Sequence, residues 1–181
     1  MLTVRELGEG ELTRFFAYLD DHLSDNGKDG TALFQPLPRA DSRLHEDKKA
    51  VFEKGLATPL GQPCWRRVWI AVDDGGDIAG HIDLRARPEP AASHRAQLGM
   101  GVHRAFRQRG LGLQLVEVAV AWALAETALA WIDLEVLSGN APARALYARA
   151  GFVKVGELPD MFRINGEALA FTYMSRPLRI A

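Results

Sequence analysis

The chain has 181 residues, enough for one domain with a sizeable apolar core. Hydrophobic residues make up 48% of it and charged residues 25%, the balance of a soluble globular protein, and a net charge of −1 gives no overall attraction to nucleic acid or to a membrane surface. Cys64 is the single cysteine, which excludes an intramolecular disulfide and any cysteine-based metal spacing, so no metal is expected.

The opening "MLTVRELGEGEL" lacks the basic and apolar regions of a secretion signal, and a reducing, cytoplasmic setting is expected. Within it "LTVREL" alternates like a short strand. "EGELTRFFAYLDDHL" then sets Leu12, Phe15, Phe16 and Leu19 at helical spacing. Residues 24–43 are rich in turn formers and read as a long loop, after which Asp41 or Ser42 is positioned to cap a helix over "RLHEDKKAVFEKGLA". "RRVWIAVD", the turn "DGGD" and "IAGHIDLRA" read as a β-hairpin. "RPEPAASH" is a second loop, and "RAQLGMGVH" is a strand weakened by two glycines. A helix over 110–127 carries Leu111, Leu115, Val118, Ala119 and Trp122 on one stripe. The apolar stretch "VAVAWALAETALAWI", broken by Glu126, is too short to span a bilayer. "AWIDLEVL" is a strand. "NAPARALYARA" is a helix opened by Asn140 and stopped by Gly151, and "FVKVGEL" and "EALAFTYMSRPL" end the chain as strands. This order, β-α-α-β-β-β-α-β-α-β-β, predicts a single α+β (mixed α/β) domain over residues 1–181.

The least ordinary stretch is "HRAFRQRGLGLQLVEVAVAWA", where arginines run through two glycines straight into an apolar helix. From Pro90 to Val116 there is no Asp or Glu, while Arg95, Arg104, Arg107 and Arg109 fall inside the same window. The first amides of a helix have no internal partners and sit at the positive end of its dipole. Glycines at 110 and 112 let an anion reach that main chain, so the passage is suited to a phosphate or diphosphate. It is not a nucleotide P-loop, and Gly99-x-Gly101 and Gly110-x-Gly112 are poor matches to a dinucleotide fingerprint.

Arg107-Gln108-Arg109-Gly110-Leu111-Gly112 resembles the acyl-CoA signature of the GNAT N-acetyltransferases, Gln/Arg-x-x-Gly-x-Gly/Ala, and lies between a strand and an amphipathic helix as that signature does. "IDLEVLSGNAPARALYARAGF" resembles a second block of the family, with Asn140, Tyr147, Gly151 and Phe152 in the expected order. The resemblance implies a twisted mixed sheet of about seven strands flanked by about four helices. It implies two central strands, here about 96–102 and 130–137, splaying to admit the pantetheine arm of acetyl-CoA as co-substrate, and it leaves room for a homodimer built through the C-terminal strands. Backbone contacts are then expected from Met100, Gly101 and Val102, and diphosphate contacts from residues 107–112. The bare faces of Gly99 and Gly101 would let the extended group approach. The resemblance gives Asn140 a part in holding the cofactor, and makes Tyr147, two helical turns later, the acid that protonates the departing thiolate.

An amine acceptor must lose a proton before it can attack. Strand alternation puts Ile78, Gly80, Ile82 and Leu84 on one face, with His81, Asp83 and Arg85 on the other, and sets Asp133 and Glu135 together. Asp83 and His81, ahead of Glu135, are the candidates for base or amine contact. Gln97 stands where many relatives carry a glutamate and cannot serve as a base, which leaves a water relay open. Acceptor choice falls to residues 22–43, 56–65 and 86–93, with Phe34, Trp65 and Trp69 as candidate apolar wall and Asp20, Asp21 and Asp25 as candidate attraction for cations. The expected activity is direct acetyl transfer to a primary amine of a small molecule or peptide. The alternatives are a CoA-binding module without turnover, which a closed cleft would favour, and an O-acyl or longer-chain transferase.

Overall fold

The computed structural model describes residues 1–178, so the last three residues of the expected domain lie outside the described residues. Its strands are β1 (Thr3–Glu6), β2 (Arg66–Val72), β3 (Ile78–Ala86), β4 (Arg95–Val102), β5 (Trp131–Leu137), β6 (Val153–Ile164) and β7 (Glu167–Pro177). Its α-helices are α1 (Leu12–Leu23), α2 (Glu46–Ala57), α3 (Leu111–Glu126) and α4 (Ala141–Arg149). Among the described residues the seven strands make one mixed sheet in the order β1-β2-β3-β4-β5-β7-β6. Every neighbouring pair is antiparallel except β4 with β5.

Two cores hold the helices to opposite faces. Phe15, Phe16, Tyr18 and Leu19 of α1 pack with Phe52 and Leu56 of α2 on Val68 and Ile70 of β2. On the other face Leu111, Leu115, Val116 and Ala119 of α3 meet Ile82, Leu84, Leu98 and Ile132, and Tyr147 and Leu146 of α4 join them. The buried part of α3 is wider than the expected stripe, because this helix lies across the centre of the sheet. Val118 and Trp122 sit at its margin, and Trp122 packs against Trp65 and Trp69 at 6.3 and 5.0 Å between ring centroids. Those two tryptophans are therefore core and build no wall for an acceptor.

Local chemistry explains the punctuation of α4. The Asn140 side chain accepts from the Ala143 amide at 3.2 Å, Pro142 sits in the first turn, where helix amides have no intrahelical partner, and Gly151 takes φ +84° just past the end.

Three expectations are corrected. Helix α2 opens at Glu46 and takes no side-chain cap from Asp41 or Ser42, because the Ser42 hydroxyl is held by Asn26 Nδ2 at 2.9 Å and donates to the Pro38 carbonyl at 3.0 Å. A bulge between Ala71 and Val72 inserts Ala79 into β3, so Ile78 turns to the α1 face while Gly80, Ile82 and Leu84 face α3. Strand β6 runs on to Ile164, and Asn165-Gly166, at φ 52° and 84°, forms the two-residue turn into β7.

Candidate active site

Strands β4 and β5 pair at only three positions, Arg95–Trp131, Ala96–Ile132 and Gln97–Asp133. Beyond Gln97 they part, and the gap opens into a cleft of about 870 Å³ that passes through the sheet. Leu98 to Val102 line one wall, Glu135, Val136 and Asn140 the other, and Tyr147 faces into it from α4. One mouth lies at the start of α3, lined by Arg107, Gln108, Gly110, Leu111 and Gly112. The other lies on the α1 side, lined by His22, Phe34, Arg85, Gln97, Phe162 and Phe171.

At the first mouth Gln108 and Gly110 both take left-handed backbone angles, φ 61° and 82°. Helix α3 has no side-chain cap there, and its first internal bonds are those from the Leu113 and Gln114 amides to the Gly110 carbonyl. Among the described residues, the amides of Gln108, Arg109, Gly110, Leu111 and Gly112 are left without a hydrogen-bond partner. Successive free amides at a helix N-terminus form a concave site for an anion, and the absence of a carboxylate cap keeps it open. A diphosphate fits this donor set.

The sequence profile of the acetyltransferase (GNAT) family matches residues 33–152. The chain belongs to the GNAT family. L-amino acid N-acetyltransferase AaaT of Escherichia coli (strain K12) is 30% identical over 105 residues, which are 56% of this chain and 62% of that protein. Among solved structures, a GNAT-family acetyltransferase from Streptococcus pneumoniae superposes with a TM-score of 0.78 at 23% identity, covering 98% of this chain and 99% of that one. Spermidine N-acetyltransferase from Vibrio cholerae, in complex with CoA and spermine, gives 0.73 at 21% identity, over 98% and 95% of the two chains. The seven-stranded mixed sheet with four α-helices found among the described residues is the GNAT fold.

Within this GNAT cleft the sequence-derived residues divide. Met100, Gly101, Val102, Gln108, Gly110, Leu111, Gly112, Asn140, Tyr147 and Glu135 all line it, and Arg107 does so while tied to Asp25 Oδ2 at 2.6 Å and to the Val102 carbonyl at 3.1 Å. The side chain of Arg109 turns away and lies over the Phe106 ring at 6.0 Å. Arg104 pairs with Asp21 at 2.8 Å, and Asp20 accepts from the Leu44 amide at 2.8 Å. The basic run thus anchors the end of α1 and the loop after it, and Asp21 and Asp25 are consumed in that anchoring.

His81 and Asp83 are buried in the wall behind the cleft. His81 Nδ1 lies 3.1 Å from the Tyr18 hydroxyl, which also donates to the Gly101 carbonyl at 3.2 Å. Asp83 pairs with Arg85 at 2.9 Å and with Arg66 at 3.5 Å. The bare faces of Gly99 and Gly101 are filled by these same groups and leave no room for a ligand. A Cβ on Gly99 would meet Asp83 Oδ1 at 2.6 Å, and one on Gly101 would meet His22 Nε2 at 2.5 Å and His81 Cε1 at 2.8 Å. Gly112 is required because Leu146 of α4 closes on it.

The Tyr147 phenol has no hydrogen-bond partner among the described residues, and burial raises its pKa, so it keeps its proton at neutral pH. Phe162, Phe171 and His22 complete the site without having been singled out in the sequence. His22 follows Phe15 and Leu19 on the apolar stripe of α1, and a histidine at such a position is the one signal that pointed to it.

His22 is 7% exposed, and its Nδ1 is buried without a partner. Burial, followed by the neighbouring His81 and Arg107, pushes its pKa down to about 3. Burial lowers His81 to about 4, with Asp83 opposing and Arg66 adding. Both imidazoles are neutral in the folded protein. Below the unfolded histidine pKa the unfolded chain binds protons that the folded one refuses, so stability falls as pH drops from about 6.5 towards the folded values. Near pH 5 the loss is expected to be roughly 2–4 kcal/mol relative to pH 7.5, read by denaturant unfolding, with His22→Gln flattening the profile. An unchanged profile in both His22→Gln and His81→Gln would remove these residues as its cause.

Proposed function

We propose that the protein is an acetyl-CoA-dependent N-acetyltransferase that moves the acetyl group directly from the thioester to a primary amine of a small molecule or peptide. The observation that carries this reading is the row of five unpartnered amides, Gln108 to Gly112, at one mouth of a cleft that passes between parted strands. The GNAT family uses acetyl-CoA, and the relatives named above are an L-amino acid and a spermidine N-acetyltransferase.

When bound, acetyl-CoA supplies an activated carbonyl. The amides of 108–112 hold its diphosphate, the 98–102 main chain borders its arm, and Asn140, already capping α4, steadies the second wall. On the α1 side Glu135 receives the acceptor ammonium, and its proton leaves through that carboxylate to water. The free amine then forms the C–N bond as the C–S bond breaks. Tyr147 gives its proton to the departing sulfur and is reprotonated, through water, by the second proton that the acylated nitrogen loses, so the sum is amide, thiol and one released proton. Burial raises the phenol, and a thiolate expelled into the same space is made more basic by the same cause, so the two shifts run in the same direction. A positioned acid of this kind contributes about 10²–10⁴ in rate. His81 and Asp83 act from behind the wall: His81 fixes Tyr18 against the Gly101 carbonyl, and Asp83 holds Arg85. The open passage between the two mouths favours turnover over a CoA-binding module.

Calorimetric titration with CoA, followed by acetyl-CoA with a panel of amines and detection of released thiol, tests the reading. Micromolar CoA affinity with amine-dependent thiol release is expected; no affinity for CoA would overturn it.

A homodimer forms part of the proposal. Edge strand β6 exposes Val153, Val155, Leu158 and Met161 at 58, 61, 46 and 42%, an apolar strand edge of the kind that pairs with another copy. Light scattering is expected to give twice the chain mass and Val155→Lys to lower it; a wild-type monomer at high concentration rules the dimer out.

A further inference from the structure

The α1-side mouth carries a charge pattern that its apolar lining does not require. Arg66 and Arg85 share the single carboxylate of Asp83, at 3.5 and 2.9 Å, so one positive charge of this trio stays uncompensated. Arg66 is the buried member, stacked on Phe52 at 3.8 Å, whereas Arg85 reaches the cleft. Its Nη1 is taken by Asp83, and its Nε and Nη2 make no hydrogen bond among the described residues. That leaves one edge of a planar fork, the geometry that grips a carboxylate through two parallel bonds. The same face of the sheet is basic further down, where Arg87 and Arg95 converge on Asp133.

Glu135 is the one carboxylate lining the cleft among the described residues, and no cation there pairs with it. Arg85, Gln97 and Asp133 stand side by side on three successive strands, with Glu135 one step beyond Asp133 on the same face. Arg85 and Glu135 therefore flank the opening from opposite sides, two strand spacings across and two residues along, at least about 12 Å apart at the backbone. Two long side chains close that distance to the span of one small zwitterion. None of the acids of α1 and its loop lines the cleft, Asp21 and Asp25 are engaged by Arg104 and Arg107, and His22 is neutral.

Resting on the N-acetyltransferase reading, we infer that the acceptor is an amine that also bears a carboxylate, an α-amino acid in chemical class, with Arg85 binding its carboxylate and Glu135 its ammonium. A polyamine would meet one anion and an excess of fixed positive charge. An amine without a carboxylate would leave the Arg85 fork unfilled.

The test compares, with acetyl-CoA and thiol detection, an apolar α-amino acid, its amide, the amine left by its decarboxylation, and spermidine. A charge-assisted bidentate contact predicts that kcat/KM for the amino acid exceeds each of the other three by about 10- to 100-fold, chiefly through KM. Arg85→Gln is expected to reduce the ratio of amino acid to decarboxylated amine to about one, and Arg85→Lys to restore part of it, while calorimetric CoA affinity stays at the wild-type value. A purely structural role for Arg85 would lower all acceptors together, and that result overturns the assignment. Equal or better turnover of the decarboxylated amine or spermidine by the wild-type protein overturns the acceptor class and leaves acetyl transfer standing. Absence of CoA binding and of thiol release with every amine overturns the underlying reading. The wild-type panel decides the acceptor class even if a variant fails to fold.

Discussion

Gly110→Asp is expected to weaken CoA binding by at least about 100-fold while Gly110→Asn weakens it only a few-fold, both measured by calorimetry. The two side chains are nearly the same size, and a Cβ at this position meets nothing within 4 Å. Both pay the same backbone cost at φ +82°, about 1 kcal/mol, since Asn and Asp tolerate left-handed angles better than other residues. They differ in charge alone. A carboxylate beside the free amides of 108–112 would cap α3 as an N-terminal acid normally does, and it would stand where the diphosphate must sit. Two charges about 4–5 Å apart near a protein surface interact by roughly 3–4 kcal/mol, the source of the factor given. The melting temperatures of the two variants should agree within a few degrees. Equal CoA affinities in the pair would show that the anion sits elsewhere.

The second large effect is expected from Tyr147→Phe, a fall in kcat of about 10²–10³ with CoA affinity unchanged. The phenol oxygen has no partner among the described residues, so its loss strands no donor or acceptor, and the ring keeps its edge-to-face contact with Phe152 at 5.9 Å. Stability should move by no more than about 0.5 kcal/mol. Single-turnover thiol release at saturating acetyl-CoA isolates the chemical step. An undiminished rate there would take Tyr147 out of the mechanism.

Much of the fold was readable because its signals are local. The glycine–arginine entry to α3, the Asn140 cap and the Gly151 stop each depend on a few neighbouring residues, and the element order follows from hydrophobic period. Three misses share one cause: each depends on a contact made with another element of the fold. Ser42 looks like a cap until Asn26 claims it. Ile78 looks like a neighbour of Gly80 and Ile82 until the bulge opposite Ala71 and Val72 turns it over. His81 and Asp83 share a polar strand face that reads as bordering the acceptor cleft, and the structure buries them against Tyr18, Arg66 and Arg85. His22 lay hidden for the opposite reason, since its spacing from Phe15 and Leu19 marks it as interior and nothing local reveals the empty space before it. The signal at Asn165-Gly166 was local and is the familiar mark of a hairpin. The irregular stretch before it, with Asp160 at φ 51° and a register shift between Leu158 and Phe162, breaks the alternation that would have shown β6 as one strand.

The three-rung seam between β4 and β5 divides the sheet into a four-stranded leaf and a three-stranded leaf, with α3 as the covalent crossover from one to the other. So short a zipper resists shearing weakly, and an extended molecule lodged in the fork would act as a splint across both leaves. Loading and rigidity would then be one event: the docked molecule itself would set the angle at which the two leaves hold an incoming nucleophile.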